Sequence, residues 1–319
     1  MDSSPPSSVP TIPACPSPLP TLSHGPRLEP FRGTATADIE FCQLLSNEDD
    51  FDSQVWEVRI DGDTYALKIF YFRHWEWLEE LDGGWITPPE YDPLSREPLT
   101  PDEYVDYLDP FNCECRAYAR IKQEHREDVA VRAHGYLLLT LEQERHISKG
   151  ELETDDQGSL KGGGPWGRWE WQRHQRLRAI VKNFVPVDTG YFDESHLSGM
   201  WSDLELLHSL GILVRDIHPG NYMDGKLIDL SRAWTMYHPC IDRTLPDSLK
   251  KLRKDECKRF TDMIRTWSVI HGVAIEVPQG SDAWESDNKE DFGIDPTKYD
   301  WRKWEELATE DQGKEQELC

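Results

Sequence analysis

Residues 54–60 and 64–71 are two strand-forming runs rich in β-branched and aromatic residues, joined by Asp61-Gly62-Asp63. A glycine at that place supplies the positive φ that a tight hairpin turn demands, so the two runs are expected to pair antiparallel. Residues 41–45 read as a strand immediately upstream. The fold therefore opens as a three-stranded meander, and the rest of the chain must cover it.

The remaining pattern supplies both helices and strands. A helix is expected over residues 112–123, strands near 129–139 and 177–185, and a polar, Gly-rich loop over 141–172 between those two strands. Over residues 194–210, Leu197, Trp201, Leu204, Leu207 and Leu210 recur at helical spacing and Gly211 supplies a stop. A short hairpin turned by Asp224-Gly225 and an amphipathic helix near 255–270 complete the series. The fold class is α+β, with no internal repeat.

Composition decides which parts stay outside this core. Residues 1–30 hold nine prolines and six serines, too little apolar surface to offset chain entropy, and are expected to be a disordered arm. An acidic insertion, residues 74–110, carries eleven acids against Arg96 alone, and residues 276–319 carry fourteen acids against five bases. The tail reads as a solvated segment or as an acidic docking segment.

With 35 Lys+Arg against 60 Asp+Glu, the net charge of −25 excludes a protein that grips nucleic acid by its phosphates. An acidic membrane face is disfavoured for the same reason, and no apolar run reaches the ~18 residues of a membrane helix, so an intracellular protein is expected. Seven scattered cysteines fit reduced thiols. Cys113-x-Cys115 lacks a second pair at zinc-site spacing. Gly162-Gly163-Gly164 lacks the Lys-Ser/Thr and helix of a phosphate loop.

The residues with chemical potential cluster in Val214-Arg215-Asp216-Ile217-His218-Pro219-Gly220-Asn221, followed by Leu227-Ile228-Asp229-Leu230-Ser231. A ladder continued through the Asp224-Gly225 turn pairs Asn221 with Ile228, which puts Asn221 and Asp229 on opposite sides. For both to reach one metal, at least one must leave the ladder. Upstream, Glu114 shares a helix face with Ala117, Tyr118 and Ile121 and so points inward. Unpaired burial of a carboxylate costs several kcal/mol, and Lys68 in Tyr65-Ala66-Leu67-Lys68 is the best partner. Arg116 and Arg120 lie off that face and are expected in solvent.

These segments resemble the catalytic loop, the metal-binding Asp and the V-A-I-K strand of the protein-kinase superfamily. The resemblance implies Asp216 as the base for an acceptor hydroxyl, and Asn221 and Asp229 as Mg²⁺ ligands. Lys68 would hold ATP phosphates and Glu114 would position Lys68. Arg215 would pair with a phosphorylated or acidic residue downstream of Asp229. The departures are specific. Val214 replaces the His of H-R-D, Ser231 replaces the Gly of D-F-G, and no A-P-E is present after Asp229. Residues 46–53 hold four carboxylates and no glycine where a phosphate-covering loop belongs. His218-Pro219-Gly220 matches small-molecule kinases of the aminoglycoside type.

The wording of Glu114-Cys115-Arg116-Ala117-Tyr118, Gly135-Tyr136-Leu137-Leu138 and Ile228-Asp229-Leu230-Ser231-Arg232-Ala233-Trp234 narrows the resemblance. It is similar to the kinase-like fungal proteins grouped with the Fta-two subunit of the Sim-four inner-kinetochore complex. That implies a two-lobed protein-kinase-like fold with a reduced C-terminal lobe, protein partners at the centromere and a nuclear place. On this basis residues 1–33 are the arm, 34–188 the N-terminal lobe with insertions 74–110 and 141–172, 189–275 the C-terminal lobe, and 276–319 the acidic tail. The functions expected are an atypical ATP- and Mg²⁺-dependent phosphotransferase, a catalytically inactive pseudokinase acting as an interaction module, or a small-molecule kinase.

Overall fold

The computed structural model describes residues 28–31, 39–46, 50, 52–72, 107–148, 164–168, 172–173, 175–186, 190–236, 238–242 and 246–273. The tail of residues 276–319 and nearly all of the acidic insertion, the expected docking or partner surfaces, lie outside these residues.

The meander forms as expected. Strand β1 (Ile39–Leu44) pairs antiparallel with β2 (Ser53–Ile60), and β2 with β3 (Asp63–Phe70). Asp61 and Gly62 both take positive φ at the β2–β3 turn, 53° and 90°, which matches the right-handed twist of the flanking strands. After helix α1 (Pro110–Gln123) come β4 (Ala133–Leu138), α2 (Leu141–Ile147) and β5 (Arg178–Asn183). β5 inserts between β3 and β4, so the sheet runs β1-β2-β3-β5-β4, antiparallel throughout. The mixed helices and antiparallel sheet make this an α+β fold.

Helix α2 corrects the expectation of a plain loop after Leu139. Its N-terminus is a capping box: the Thr140 hydroxyl accepts from the Gln143 N–H at 3.1 Å, and the Gln143 side chain accepts from the Thr140 N–H at 2.8 Å. A polar sequence becomes helical here because its first turn satisfies its own backbone. Arg168 then closes on buried Glu144 with the two terminal guanidinium nitrogens, at 2.5 and 2.7 Å.

Inside the segment expected to be a disordered arm, residues 28–31 are packed. Leu28 is 1 % exposed. Phe31 donates to the Tyr136 carbonyl at 2.8 Å and Tyr136 donates to the Glu29 carbonyl at 3.0 Å, so this short stretch covers the outer edge of β4. Gly135 permits the approach, because a Cβ there would stand 2.6 Å from the Phe31 backbone nitrogen.

Each face of the sheet has its own core. Val58, Ile60, Leu67, Ile69 and Val181 pack with Leu139, Ile147 and Trp166 on one side. On the other, Phe70 and Ile180 join α1, α3 (Leu197–Ser209) and Phe260, Met263 and Ile264 of α5 (Pro246–His271). Between α3 and α5 run four two-residue strands, β6 (Ile212–Leu213), β7 (Tyr222–Met223), β8 (Lys226–Leu227) and β9 (Trp234–Thr235), and the short helix α4 (Pro239–Asp242). β7 pairs with β8 and β6 with β9. Among the described residues, no helix is long and apolar enough to cross a membrane.

Candidate functional site

The site forms where the second sheet face, α1 and the β8–β9 connection meet. Antiparallel pairing puts Lys68 opposite Ile180 and Ala66 opposite Lys182, so both lysines project from the same face. Helix α1 is set against them by Asp109. Its carboxylate caps the helix, accepting from the N–H of Phe111 at 3.1 Å and of Asn112 at 3.3 Å. It also holds Arg178 of β5 through two 3.0 Å contacts. Pro110 occupies the first helical position, where its missing N–H costs nothing. Glu114, one turn on, is then directed at the lysines.

Lys68 Nζ donates to Glu114 Oε2 at 2.8 Å and to Asp229 Oδ1 at 2.7 Å. The structure thus joins three of the five residues singled out from the sequence. It adds a fourth group that sequence reasoning missed. Lys182 donates to Glu114 Oε1 and, at 2.7 Å, to the carbonyl of Ile228. Glu114 is fully buried, and Lys68 and Lys182 are 3 % and 4 % exposed. Two ammonium groups therefore face two carboxylates, and the cluster is neutral without any ligand.

The electrostatics derive from that pairing. Burial alone would raise the Asp229 carboxyl, but Lys68 and then Lys182 more than offset it and hold it well below the ordinary carboxylate range. Burial likewise works to lower Lys68, and Asp229 and Glu114 outweigh it, leaving the ammonium above its ordinary value. The Ser231 N–H adds a hydrogen bond to Asp229 Oδ1 at 2.8 Å.

Asn221 and Asp216 sit beside this cluster, outside its ion pairs. Asn221 ends a 3₁₀ turn (Pro219–Asn221) and lies off the two-residue β7–β8 ladder, while its carbonyl still accepts from Ile228 at 2.9 Å. Its amide nitrogen donates to the Asp216 carbonyl at 2.9 Å. The Asp216 carboxylate is 51 % exposed, with His218 Nε2 at 3.7 Å. Arg215, for which an acidic or phosphorylated partner downstream of Asp229 is expected, places its guanidinium 3.7 Å from the Trp234 ring centroid, a stacking contact.

The loop of residues 214–216 is anchored from α5. Glu256 accepts from the N–H of Val214 at 3.2 Å and of Arg215 at 2.6 Å, with His208 Nε2 at 2.7 Å. Arg215 takes φ 66°, a conformation that a non-glycine residue holds only when its surroundings impose it.

Two expectations for α1 are corrected. Arg116 and Arg120 are 5 % and 0 % exposed. Arg116 stacks on the Tyr107 ring at 4.3 Å, and Arg120 donates to the Met236 carbonyl at 2.7 Å. The chain around β9 covers the helix face that periodicity assigns to solvent.

A magnesium ion would have to compete with Lys68 for this donor set. Mg²⁺ sites take one or two carboxylates completed by phosphate and water. An asparagine ligates a metal through its carbonyl oxygen, and the Asn221 amide nitrogen donates to the Asp216 carbonyl, which leaves Oδ1 as the ligating atom; Asp229 Oδ1 already accepts from Lys68 and Ser231. Among the described residues, no group of three or more His, Cys, Asp or Glu is placed to hold a metal, Cys113 and Cys115 included.

Compared with known families, residues 11–234 match the family described as Kinetochore Sim4 complex subunit FTA2. The match spans more than half of the 319-residue chain. The chain belongs to this family. Among curated proteins, no significant match is found. The FTA2 match takes in Lys68, Glu114, Lys182, Asp216, Asn221 and Asp229, and it begins within the Pro/Ser-rich arm. Helix α5 and its anchor Glu256 lie beyond it.

Proposed function

We propose that this protein is a catalytically silent, kinase-like interaction module that serves in a kinetochore assembly. The family's description names a subunit of the Sim4 complex, which supports protein partners at the kinetochore and hence a nuclear place. In this reading the sheet with α1 corresponds to an N-terminal lobe and the segment from α3 onward to a reduced C-terminal lobe.

The observation that carries the reading is the closed charge balance of Lys68, Lys182, Glu114 and Asp229. A nucleotide phosphate would have to draw Lys68 from Asp229. With no metal to take its place, that exchange leaves a half-buried carboxylate short of its cation, at a cost of several kcal/mol. Residues that resemble a phosphotransfer site thus serve here to join the sheet to the β8–β9 connection. The acidic surface suits basic protein partners.

The test is to tag the full chain at its own locus. Foci at centromeres and co-purification with Sim4 complex subunits are the expected result. A diffuse signal with no kinetochore protein recovered would refute the reading.

A second reading, phosphoryl transfer from ATP with Mg²⁺, draws on one observation: Asp216 keeps its carboxylate half exposed while its backbone carbonyl holds the Asn221 amide. It requires ³²P transfer from ATP to a protein hydroxyl or to a small hydroxylated acceptor, lost in Asp216→Asn.

A further inference from the structure

Three side chains of the sheet cross to residues 228–232. Lys182 reaches the Ile228 carbonyl, Lys68 reaches Asp229, and Asp52 reaches Arg232, each at 2.7 Å. The first two lysines are interior. The third link is at the rim, where Asp52 keeps 14 % and Arg232 32 % of the side chain exposed. Asp52 is itself tied to the sheet, its carbonyl accepting from the Tyr71 N–H at 3.1 Å.

The polarity of the links alternates. The sheet supplies a cation at Lys68 and an anion at Asp52, and the turn supplies the reverse at Asp229 and Arg232. Burial alone would lower the Arg232 guanidinium, but Asp52 outweighs it, with Asp216 adding to the effect. Between Asp229 and Arg232 the turn is stiff, because Ser231 donates to Asp229 and Ala233 donates to Leu230 at 3.0 Å. Displacing Arg232 therefore displaces the turn that carries Asp229.

We propose that Asp52–Arg232 is a releasable clasp, which when closed holds this turn on the sheet and keeps Lys68 from solvent, and when open exposes Lys68 beside Asp229, itself 29 % exposed with the clasp closed. Of the three links it is the one with both partners partly exposed, since the Lys68–Asp229 pair is exposed at Asp229 alone. The inference rests on the reading that the chain's own side chains close the crevice.

The test is amine acetylation of the full chain, followed by mass spectrometry, with exposed Lys254 and Lys258 as reference sites and iodoacetamide on fully buried Cys115 as the reporter of global unfolding. Loss of a partly exposed ion pair is expected to raise the Lys68 rate about fivefold in Asp52→Asn and in Arg232→Gln, with Cys115 still protected. The charge-exchanged variant Asp52→Arg/Arg232→Asp should return toward the parent rate. An unchanged Lys68 rate in the single variants, or an exchanged variant as reactive as they are, overturns the clasp.

If Cys115 also reacts in a variant, the parent chain in 1 M NaCl decides, since salt screens a rim pair within about 3 Å. A faster Lys68 rate relative to Lys254, with Cys115 protected, supports the clasp, and an unchanged ratio overturns it. Nucleotide binding by the parent chain would refute the silent-module reading and leave the labelling result standing by itself.

Discussion

Lys182 donates to the carbonyl of Ile228 at 2.7 Å, the residue immediately before Asp229. One buried ammonium thereby binds the backbone of the site segment and the carboxylate of α1 at once. Lys68 is left to be shared between Glu114 and Asp229, and the whole cluster depends on Glu114 remaining charged and in place.

Glu114→Leu leaves two interior lysines competing for one carboxylate and should destabilise the chain by about 3–5 kcal/mol. Lys182→Met leaves Glu114 paired with Lys68 and forfeits the bond to Ile228, so its cost should be smaller, about 1–3 kcal/mol. Urea unfolding of both variants checks the order. A costlier Lys182→Met would mean that Lys68 does not hold Glu114.

The shifted groups set the pH dependence. Asp229 titrates lower in the folded chain than in the unfolded one, so its contribution is complete above about pH 4 and is lost as pH falls below that. Lys68 titrates higher when folded, so its contribution is complete below about pH 10.4 and is lost as pH rises above it. Melting temperature against pH should show a shallower acid limb in Asp229→Asn and a shallower alkaline limb in Lys68→Met. Limbs identical to the parent's would contradict both assignments.

Gly135→Ala sets a Cβ against the Phe31 and Glu29 backbone, which has no flexible end to move aside. The stretch of residues 28–31 should detach from β4, withdrawing Leu28 from the core at a cost of about 2 kcal/mol. Hydrogen exchange at the Tyr136 and Phe31 amides reports it, and slow exchange in the variant would show that the edge accommodates the methyl.

Glu256→Ala should free the Val214 and Arg215 amides and relax the positive φ of Arg215. A lost charged acceptor for two buried N–H groups costs about 3 kcal/mol. Fast exchange confined to residues 213–216 is the expected signature, and unchanged protection there would remove α5 as the anchor.

Much of this fold and site is legible in the sequence, for reasons that are local. The Asp61-Gly62 turn declares the β2–β3 hairpin, and the Ala117–Tyr118–Ile121 face turns Glu114 inward, where a buried carboxylate needs Lys68. Lys182 is hidden because it lies in an apolar run that reads only as a strand. Its signal is alternation, since Arg178, Ile180 and Lys182 share one face and Ile180 is core. Arg116 and Arg120 are misplaced by periodicity because a helical pattern reports one packed face. The second face is covered by Met236, more than a hundred positions downstream, and by the Tyr107 ring just ahead of the helix, neither of which the helical period encodes. Helix α2 does carry a local signal, since Thr140-Leu141-Glu142-Gln143 spells a capping box, but its polar, Gly-rich surroundings read as loop.

The central claim, a crevice neutralised by its own side chains, is tested most directly by melting the full chain with and without millimolar ATP and Mg²⁺. Binding to the native state at 100 times Kd would stabilise it by about 2.7 kcal/mol and raise the melting temperature. No change in melting temperature is expected. A saturable rise that Asp229→Ala abolishes would contradict it.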